Sequence, residues 1–325
     1  MEGRDLYRPG SPSPKISVIM AVHNGEEYLR EAIKSIVGQT FDDFELIVVD
    51  DGSTDKSTEI IRASADRRLR FIPLERNVGL ANALNCGISA ARGELIARMD
   101  SDDVALPGRF QAQFERMKSE PGLVLLGSSF NYIDTDGCIL KNQPMKTDDA
   151  TIRHKLFNDC NQFCHPSVMM RRDAVLIAGG YRTLAGRYAQ DYDLWLRLAE
   201  VGSIANLPDA YLGYRVHKGQ SSVNKLYAQR RAAELYKILA RQRRESGFED
   251  FSAAENEAAG RCLSLKKSVA TDFLFWSELF ACMGDRTQSF RMQGRALWLA
   301  PFSRAVHAAI RKHVLSALRG GESPN

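Results

Sequence analysis

Short apolar segments alternate with segments of helical periodicity between residues 15 and 99. Residues 15–22 form a β-rich apolar run that ends in a tight turn, and apolar residues then recur at helical spacing as far as Val37. The same unit recurs, with further strands predicted at residues 44–49, 70–73 and 94–99. Strands that alternate with helices favour a parallel sheet with right-handed crossovers, so we predict an α/β fold.

Aspartates follow two of these predicted strands at the point where each strand ends. Asp50 and Asp51 follow the second strand, and Asp100, Asp102 and Asp103 follow the fourth. The ligand crevice of an open α/β sheet lies at the carboxyl ends of its strands, and carboxylates there suit Mg²⁺ or Mn²⁺. The alternative is that Asp102 and Asp103 only cap the next helix. Two acidic groups at one sheet edge favour a metal and diphosphate site over capping.

Other nucleotide and metal sites lack their characteristic residues. No Gly-x-Gly-x-x-Gly follows the first predicted strand and no Gly-x-x-x-x-Gly-Lys occurs, which disfavours dinucleotide-binding and P-loop folds. Cys160, Cys164 and His165 lie close together, but no fourth ligand follows at the spacing of a zinc site. We therefore do not expect zinc.

Length and pattern divide the chain into three parts. Residues 1–14 are polar and proline-rich and are predicted to be a disordered lead-in, residues 15–222 an α/β domain, and residues 225–325 a helical accessory domain. No segment is apolar enough to cross a bilayer, and six scattered cysteines are typical of reduced thiols. We expect a cytoplasmic protein.

The positive charge is concentrated in the last part of the chain. Residues 225–325 carry 17 Lys and Arg against 10 Asp and Glu, so this part has a net charge of +7 within a whole-chain charge of +4. Such a segment either contacts an anionic surface, namely the inner face of the cell membrane or a partner, or presents a solvated helical face. The whole-chain charge is modest, and we expect no nucleic-acid partner.

A series of short motifs occurs in order along residues 15–222. They are Val22-His23-Asn24, Gln39-Thr40-Phe41, Val48-Val-Asp-Asp-Gly-Ser-Thr-Asp55, Arg98-Met-Asp-Ser-Asp-Asp103, His165-Pro-Ser and Gln190-Asp-Tyr-Asp-Leu-Trp-Leu-Arg197. In this order they resemble the family 2 inverting glycosyltransferases of GT-A fold, which have a Rossmann-like, mostly parallel sheet. The resemblance implies transfer of a hexose-type sugar from a nucleotide diphosphate donor, with inversion at the anomeric carbon.

The resemblance also implies roles for residues on the donor side. Asp51 would accept a hydrogen bond from the nucleotide base, Ala21 and His23 would line the base pocket, and Asp100 would contact the ribose. We expect a UDP-sugar as the donor.

The divalent cation and the diphosphate are assigned in the same way. Asp102 would bind Mn²⁺ or Mg²⁺, with Asp103 in support. His217, in the closing motif, would complete the metal shell or touch the diphosphate, or would only end the domain. Many relatives carry an arginine at residues 80–85 that meets the diphosphate; this chain has none there, and we expect Arg98 to serve instead.

Asp191 begins an apolar helical stripe and is either an N-cap or, as the resemblance implies, the general base. An inverting displacement needs one base on the face opposite the leaving group. Asp193 and Arg197 are expected to form an exposed i, i+4 pair of little energetic weight. His165 either contacts the acceptor, a saccharide or lipid-linked saccharide, or has a structural role.

The accessory domain is predicted to be an all-helical bundle. Helices are expected at residues 251–282, 286–299 and 301–318, after a first helix with a basic end at residues 241–244. Four aromatic residues in this region are either core residues or a membrane anchor: Trp276, Phe280, Trp298 and Phe302.

Two other functions compete with a glycosyltransferase of surface polysaccharide synthesis. A nucleotidyltransferase would also join such a sheet to carboxylates. It usually has a Gly-rich basic loop after the first strand, whereas residues 23–27 of this chain, His-Asn-Gly-Glu-Glu, form an acidic segment. A non-catalytic binding module would use the basic helical tail as its functional part.

Overall fold

The computed structural model describes residues 13–183, 188–220 and 225–318. The predicted lead-in therefore falls almost entirely outside the described residues. The chain forms two compact units. Among the described residues, the sheet unit contains residues 13–133, 142–183 and 190–215, and the helical unit contains residues 134–141, 188–189, 216–220 and 225–318.

Four parallel strands form one half of the sheet, and they follow one another along the chain as predicted from the sequence. They are β1 (Ile16–Val22), β2 (Phe44–Asp50), β3 (Leu69–Pro73) and β4 (Leu95–Asp100). β1 lies between β2 and β4, and β3 pairs with β2. Every residue of β1 and β2 is buried, as expected for parallel strands that are covered on both faces.

The other half of the sheet is mixed. Its strands are β5 (Val104–Ala105), β6 (Leu123–Ile133), β8 (Met169–Arg171) and β9 (Ser203–Arg215); a further strand is β7 (Ile139–Gln143). The order along the sheet is β3-β2-β1-β4-β8-β6-β9-β5. β8 is antiparallel to both β4 and β6, whereas β6 and β9 are parallel.

No strand is predicted from the sequence at β9, which contains Pro208-Asp209, two residues typical of turns. In the structure, Leu207 pairs with Ser128 and Ala210 pairs with Ser129. Pro208 and Asp209 therefore form a bulge within one long strand. The α/β prediction with a mostly parallel sheet is confirmed.

Within the described residues of the sheet unit, seven α-helices flank the strands. They are α1 (Leu29–Val37), α2 (Ser57–Arg62), α3 (Leu80–Ala90), α4 (Arg109–Ser119), α5 (Asp149–Asn158), α6 (Arg172–Ile177) and α7 (Gln190–Val201). The core joins apolar residues of β1, β2 and β4 to the buried faces of α1 and α4. This packing holds the carboxyl ends of the parallel strands in place.

The described part of the helical unit contains five helices. They are α8 (Leu226–Ser246), α9 (Phe251–Gly260), α10 (Cys262–Cys282), α11 (Arg286–Leu299) and α12 (Arg304–Leu318). The single helix predicted over residues 251–282 is wrong: it is interrupted at Arg261, directly after Gly260, a residue with weak helical propensity. None of the described helices is long and apolar enough to span a bilayer.

The four aromatic residues of this unit divide into two pairs. Trp276 and Phe280 are buried, with exposed fractions of 6% and 1%. Trp298 and Phe302 are instead 81% and 97% exposed. The core interpretation therefore holds for the first pair only.

Candidate active site

The sheet register brings the ends of β2 and β4 to the two sides of β1. Ala21 pairs with Val49 on one side and with Asp100 on the other. The aspartates that follow β2 and β4 therefore lie at one edge of the sheet, as the sequence indicated. Their surroundings differ and are described in turn.

Asp100, Asp102 and Asp103 form a compact acidic cluster after β4. One oxygen from each of the three carboxylates lies within 4.8 Å of the others. Asp103 is 2% exposed, and its Oδ1 accepts a hydrogen bond of 2.8 Å from the backbone N–H of Arg215. Its Oδ2 is buried without a hydrogen-bond partner among the described residues.

This cluster fits a divalent cation. Burial, and then the charges of Asp102 and Asp100, raise the pKa of Asp103 well above its usual value, because crowded anions disfavour ionisation. A buried carboxylate oxygen without a partner is costly, and a hard cation such as Mg²⁺ or Mn²⁺ would satisfy it. Asp100 and Asp102 offer further oxygen ligands beside it. Cys160, Cys164 and His165, which resemble part of a zinc site in sequence, do not form such a group among the described residues.

Arg98 connects the acidic cluster to His165. The Arg98 side chain is 1% exposed, and its Nη2 donates a hydrogen bond of 2.5 Å to Asp100 Oδ1. Its Nε donates to His165 Nε2 at 3.3 Å, and its Nη1 is buried without a partner in the described part of the chain.

His165 is therefore a neutral hydrogen-bond acceptor at Nε2. Arginine always donates, so the Arg98 contact leaves Nε2 unprotonated, and the Tyr181 hydroxyl lies 2.8 Å from the same nitrogen. Burial, with the Arg98 charge, lowers the pKa of His165 well below its usual value. Sequence reasoning left the role of His165 open and did not identify Tyr181 as its hydrogen-bond partner.

Asp51 is held rigidly at the end of β2. Its carboxylate is 3% exposed and accepts hydrogen bonds from the backbone N–H groups of Val78, at 2.7 Å, and Gly79, at 3.0 Å, just before α3. The Asp51 carbonyl accepts a hydrogen bond of 2.9 Å from His23 Nδ1. The imidazole of His23 is exposed, whereas Ala21 is buried at the end of β1.

Asp191 lies in the first turn of α7 and is partly buried. Asn161 donates a hydrogen bond of 3.0 Å from Nδ2 to Asp191 Oδ2. The Asn161 amide is itself oriented, because its Oδ1 accepts a hydrogen bond of 3.1 Å from the backbone N–H of Phe163. Burial raises the pKa of Asp191 above its usual value, although the Asn161 hydrogen bond and the Arg98 charge oppose this shift. Sequence reasoning did not identify Asn161.

The expectation of an exposed Asp193–Arg197 pair is wrong. Asp193 is 1% exposed and Arg197 7%, and Arg197 Nη2 lies 2.6 Å from Asp193 Oδ2. Arg182 Nη1 lies 3.4 Å from the other carboxylate oxygen. α7 is buried along most of its surface, including the face that carries this pair, so removal of either partner would leave an uncompensated charge in the core.

His217 lies in the helical unit, where its backbone N–H donates a hydrogen bond of 2.8 Å to Gln220 Oε1. A metal or diphosphate contact of His217 stays a prediction.

Comparison with known proteins gives the following similarities. The family model described as "Glycosyl transferase family 2" matches residues 17–176. The amylovoran biosynthesis glycosyltransferase AmsE of Erwinia amylovora is 37% identical over 218 residues, which are 64% of this chain and 78% of that protein.

Two solved structures have a similar fold. S. aureus TarS 1-349 in complex with UDP-GlcNAc has a TM-score of 0.56 at 18% identity and covers 87% of this chain and 91% of its own. The mannosyltransferase PcManGT from Pyrobaculum calidifontis, in complex with GDP-Man and Mn²⁺, has a TM-score of 0.56 at 17% identity and covers 95% and 81%. At these identities the similarity concerns the fold.

Proposed function

The chain belongs to glycosyl transferase family 2 and is a glycosyltransferase, and on this premise we propose that it is an inverting enzyme that uses a UDP-sugar. The acceptor is a saccharide or lipid-linked saccharide in the synthesis of a surface polysaccharide, at the cytoplasmic side of the membrane. The relative named for amylovoran biosynthesis supports the polysaccharide. Family membership argues against the nucleotidyltransferase and the non-catalytic module.

One observation carries this proposal: Asp100, Asp102 and Asp103 gather their oxygens at the sheet edge, and one buried oxygen lacks a partner among the described residues. Asp102 and Asp103 would hold Mn²⁺ or Mg²⁺. A bound cation would neutralise the charge that grows on the diphosphate leaving group. The solved neighbours contain UDP-GlcNAc in one case and GDP-Man with Mn²⁺ in the other, which supports a nucleotide sugar and a divalent metal.

The ends of β1 and β2 would bind the nucleotide. Asp51 accepts from the base while the N–H groups that precede α3 hold its carboxylate in place. Ala21 and His23 line the base pocket, and Asp100 contacts the ribose. Arg98 holds Asp100 through Nη2, and its unpartnered Nη1 is the nitrogen that would reach the diphosphate.

Asp191 would act as the general base on the acceptor hydroxyl. The raised pKa of its carboxyl makes the ionised form a better proton acceptor than an exposed aspartate would be. The Asn161 N–H donates to one oxygen and so helps to fix the orientation of the carboxylate that would take the proton. Asn161 is then a positioning residue that acts through Asp191.

The test is a calorimetric titration of UDP and of GDP into the purified protein, with Mn²⁺ and with a chelator. UDP should bind only with the metal, and Asp102→Ala should abolish this binding. Asp136→Ala, which removes an exposed carboxylate, is the matched control and should bind as the wild type does. Preference for GDP would overturn the assignment of the donor base, and metal-independent binding would overturn the metal site.

A further inference from the structure

The basic end of α8 is not the strongest cationic surface of the helical unit. Arg241 forms an ion pair of 2.6 Å with Glu257, and Arg243 pairs with Glu249. Acidic neighbours thus neutralise much of the positive charge that the sequence shows at residues 241–244. An attraction to an anionic surface must come from elsewhere in this unit.

The segment from Arg286 to Arg311 has positive charge without any acidic residue. It contains five arginines, and no Asp or Glu occurs between Asp285 and Glu322. Four of these arginine side chains are exposed: Arg286, Arg291, Arg304 and Arg311. The charged side chains of α11 and of the described start of α12 are therefore all positive.

Large aromatic side chains project from the same segment. Trp298, near the end of α11, is 81% exposed, and Phe302, four residues later, is 97% exposed. Phe290 lies two helical turns before Trp298 and is 51% exposed. The other two tryptophans of the chain, Trp195 and Trp276, are 0% and 6% exposed. Apolar groups of this size at this exposure mark an interaction surface when they are clustered.

Exposed Trp and Phe beside exposed arginines match the chemistry of an anionic lipid surface. Aromatic rings favour the boundary between headgroups and acyl chains, and arginines bind lipid phosphates. A second copy of this chain fits less well, because a two-fold interface would place these arginines against their own copies. Since no described helix can span a bilayer, the contact would lie on its surface.

We propose that α11, the turn at residues 300–303 and the start of α12 form a docking surface for an anionic membrane. Trp298 and Phe302 insert into the interface, and Arg291 and Arg304 contact lipid phosphates. The proposal goes beyond the glycosyl transfer and does not depend on the donor or on the base.

The test is cosedimentation of the full chain with vesicles of phosphatidylcholine, alone or mixed with phosphatidylglycerol. The wild type should bind the mixed vesicles and lose binding as salt is raised. Trp298→Ser with Phe302→Ser should weaken this binding by about tenfold or more. Phe248→Ser is the matched control, because Phe248 is 68% exposed in the same unit but outside the surface, and it should bind as the wild type does.

Tryptophan fluorescence gives an independent readout. The emission should shift to shorter wavelength when phosphatidylglycerol vesicles are added, and Trp298→Phe should remove the shift, because Trp195 and Trp276 are already buried. Arg291→Gln with Arg304→Gln should reduce the salt dependence of binding.

Three results would overturn the proposal. The wild type could bind both vesicle types equally, or the double serine variant could bind as tightly as the wild type. Alternatively, sedimentation without vesicles could show a dimer that this variant abolishes, which would assign the surface to a second copy. UDP titration of the same variants should be unchanged, so failure here is distinct from failure of the proposed enzyme function.

Discussion

Asp100, Asp102 and Asp103 at the end of β4 and Asp191 at the start of α7 are four carboxylates in two different surroundings. One oxygen from each of the first three lies within 4.8 Å of the others. One of the buried oxygens, Asp103 Oδ2, has no hydrogen-bond partner among the described residues. Asp191 does not belong to that group and instead accepts a hydrogen bond from the neutral amide of Asn161. Crowded anions favour the binding of a cation, whereas a carboxylate held by neutral hydrogen-bond donors stays available as a base.

The largest effect is expected at Asp191. Asp191→Asn keeps the shape of the side chain but removes the proton acceptor, so kcat should fall by about 10²–10⁴-fold. UDP affinity should stay unchanged, because the donor side is intact. Transfer assays at saturating donor measure the first quantity and calorimetry the second. Asp209→Asn, at an exposed position of β9, is the control; near-normal turnover of Asp191→Asn would remove Asp191 from the role of base.

Loss of one carboxylate from the acidic cluster should stabilise the metal-free protein but weaken metal-dependent binding. Asp103→Asn removes one of three crowded negative charges, so the metal-free protein should gain about 1 kcal/mol in the free energy of unfolding. The same change should weaken metal-dependent UDP binding by about tenfold or more, because a carboxylate ligand is lost. Denaturant unfolding with a chelator tests the first expectation. A destabilised metal-free variant would contradict the interpretation that these carboxylates repel each other.

Arg98 links the two regions, since it holds Asp100 directly and its charge acts on Asp191. Arg98→Ala should raise the Michaelis constant for the donor by about tenfold, as expected for the loss of a charge-assisted hydrogen bond. Steady-state kinetics with varied donor measure this change, and a thermal melt confirms that the variant is folded. An unchanged Michaelis constant would reject a role of Arg98 on the donor side.

The smallest effect is expected at Asn161, and it should appear in the pH profile. Asp191 must be ionised to act as a base, so activity is present above its pKa and lost as the pH falls through it. Asn161→Ala removes a hydrogen bond that favours the ionised form, which raises the pKa of Asp191 further. The acid limb of kcat/KM should therefore move to higher pH, with kcat/KM a few-fold lower at neutral pH.

The groups that act on Asp191 in this profile come from several elements. Arg98 lies on β4, and Tyr181 and Cys164 interact electrostatically with the same carboxyl. Asn158→Ala, on the exposed side of α5, is the matched control and should leave the limb unchanged. A purely structural role of Asn161 would lower activity at all pH values without moving the limb.

Sequence reasoning succeeded where the signal was local. β1 to β4 and the helices between them were predicted because a buried parallel strand is a continuous apolar run and a helix has its own period. The same strand predictions placed four aspartates at one sheet edge, because they follow the carboxyl ends of parallel strands: Asp51, Asp100, Asp102 and Asp103. The register of β1 with β2 and β4 then gives this arrangement its geometry.

It failed where a contact joins distant segments. Asn161 and Asp191 are 30 residues apart, and the Asn85 side chain reaches the backbone of Tyr181 across 96 residues. The buried Asp193–Arg197 pair looked like a surface pair, because helical spacing does not reveal what packs against the helix. β9 was missed because a bulge and a turn have the same local residues.

The sequence by itself determined the α/β order, the carboxylates that follow the strands and the basic helical part, since these depend on backbone periodicity and composition. Only the tertiary structure decided which aspartate oxygen has no hydrogen-bond partner among the described residues and that His165 is neutral. It also decided that Asn161 donates a hydrogen bond to Asp191, and that Trp298 and Phe302 are exposed. The physical reason is that pKa values, hydrogen-bond partners and exposure arise from groups brought together by packing. Residue type and spacing do not encode those neighbours.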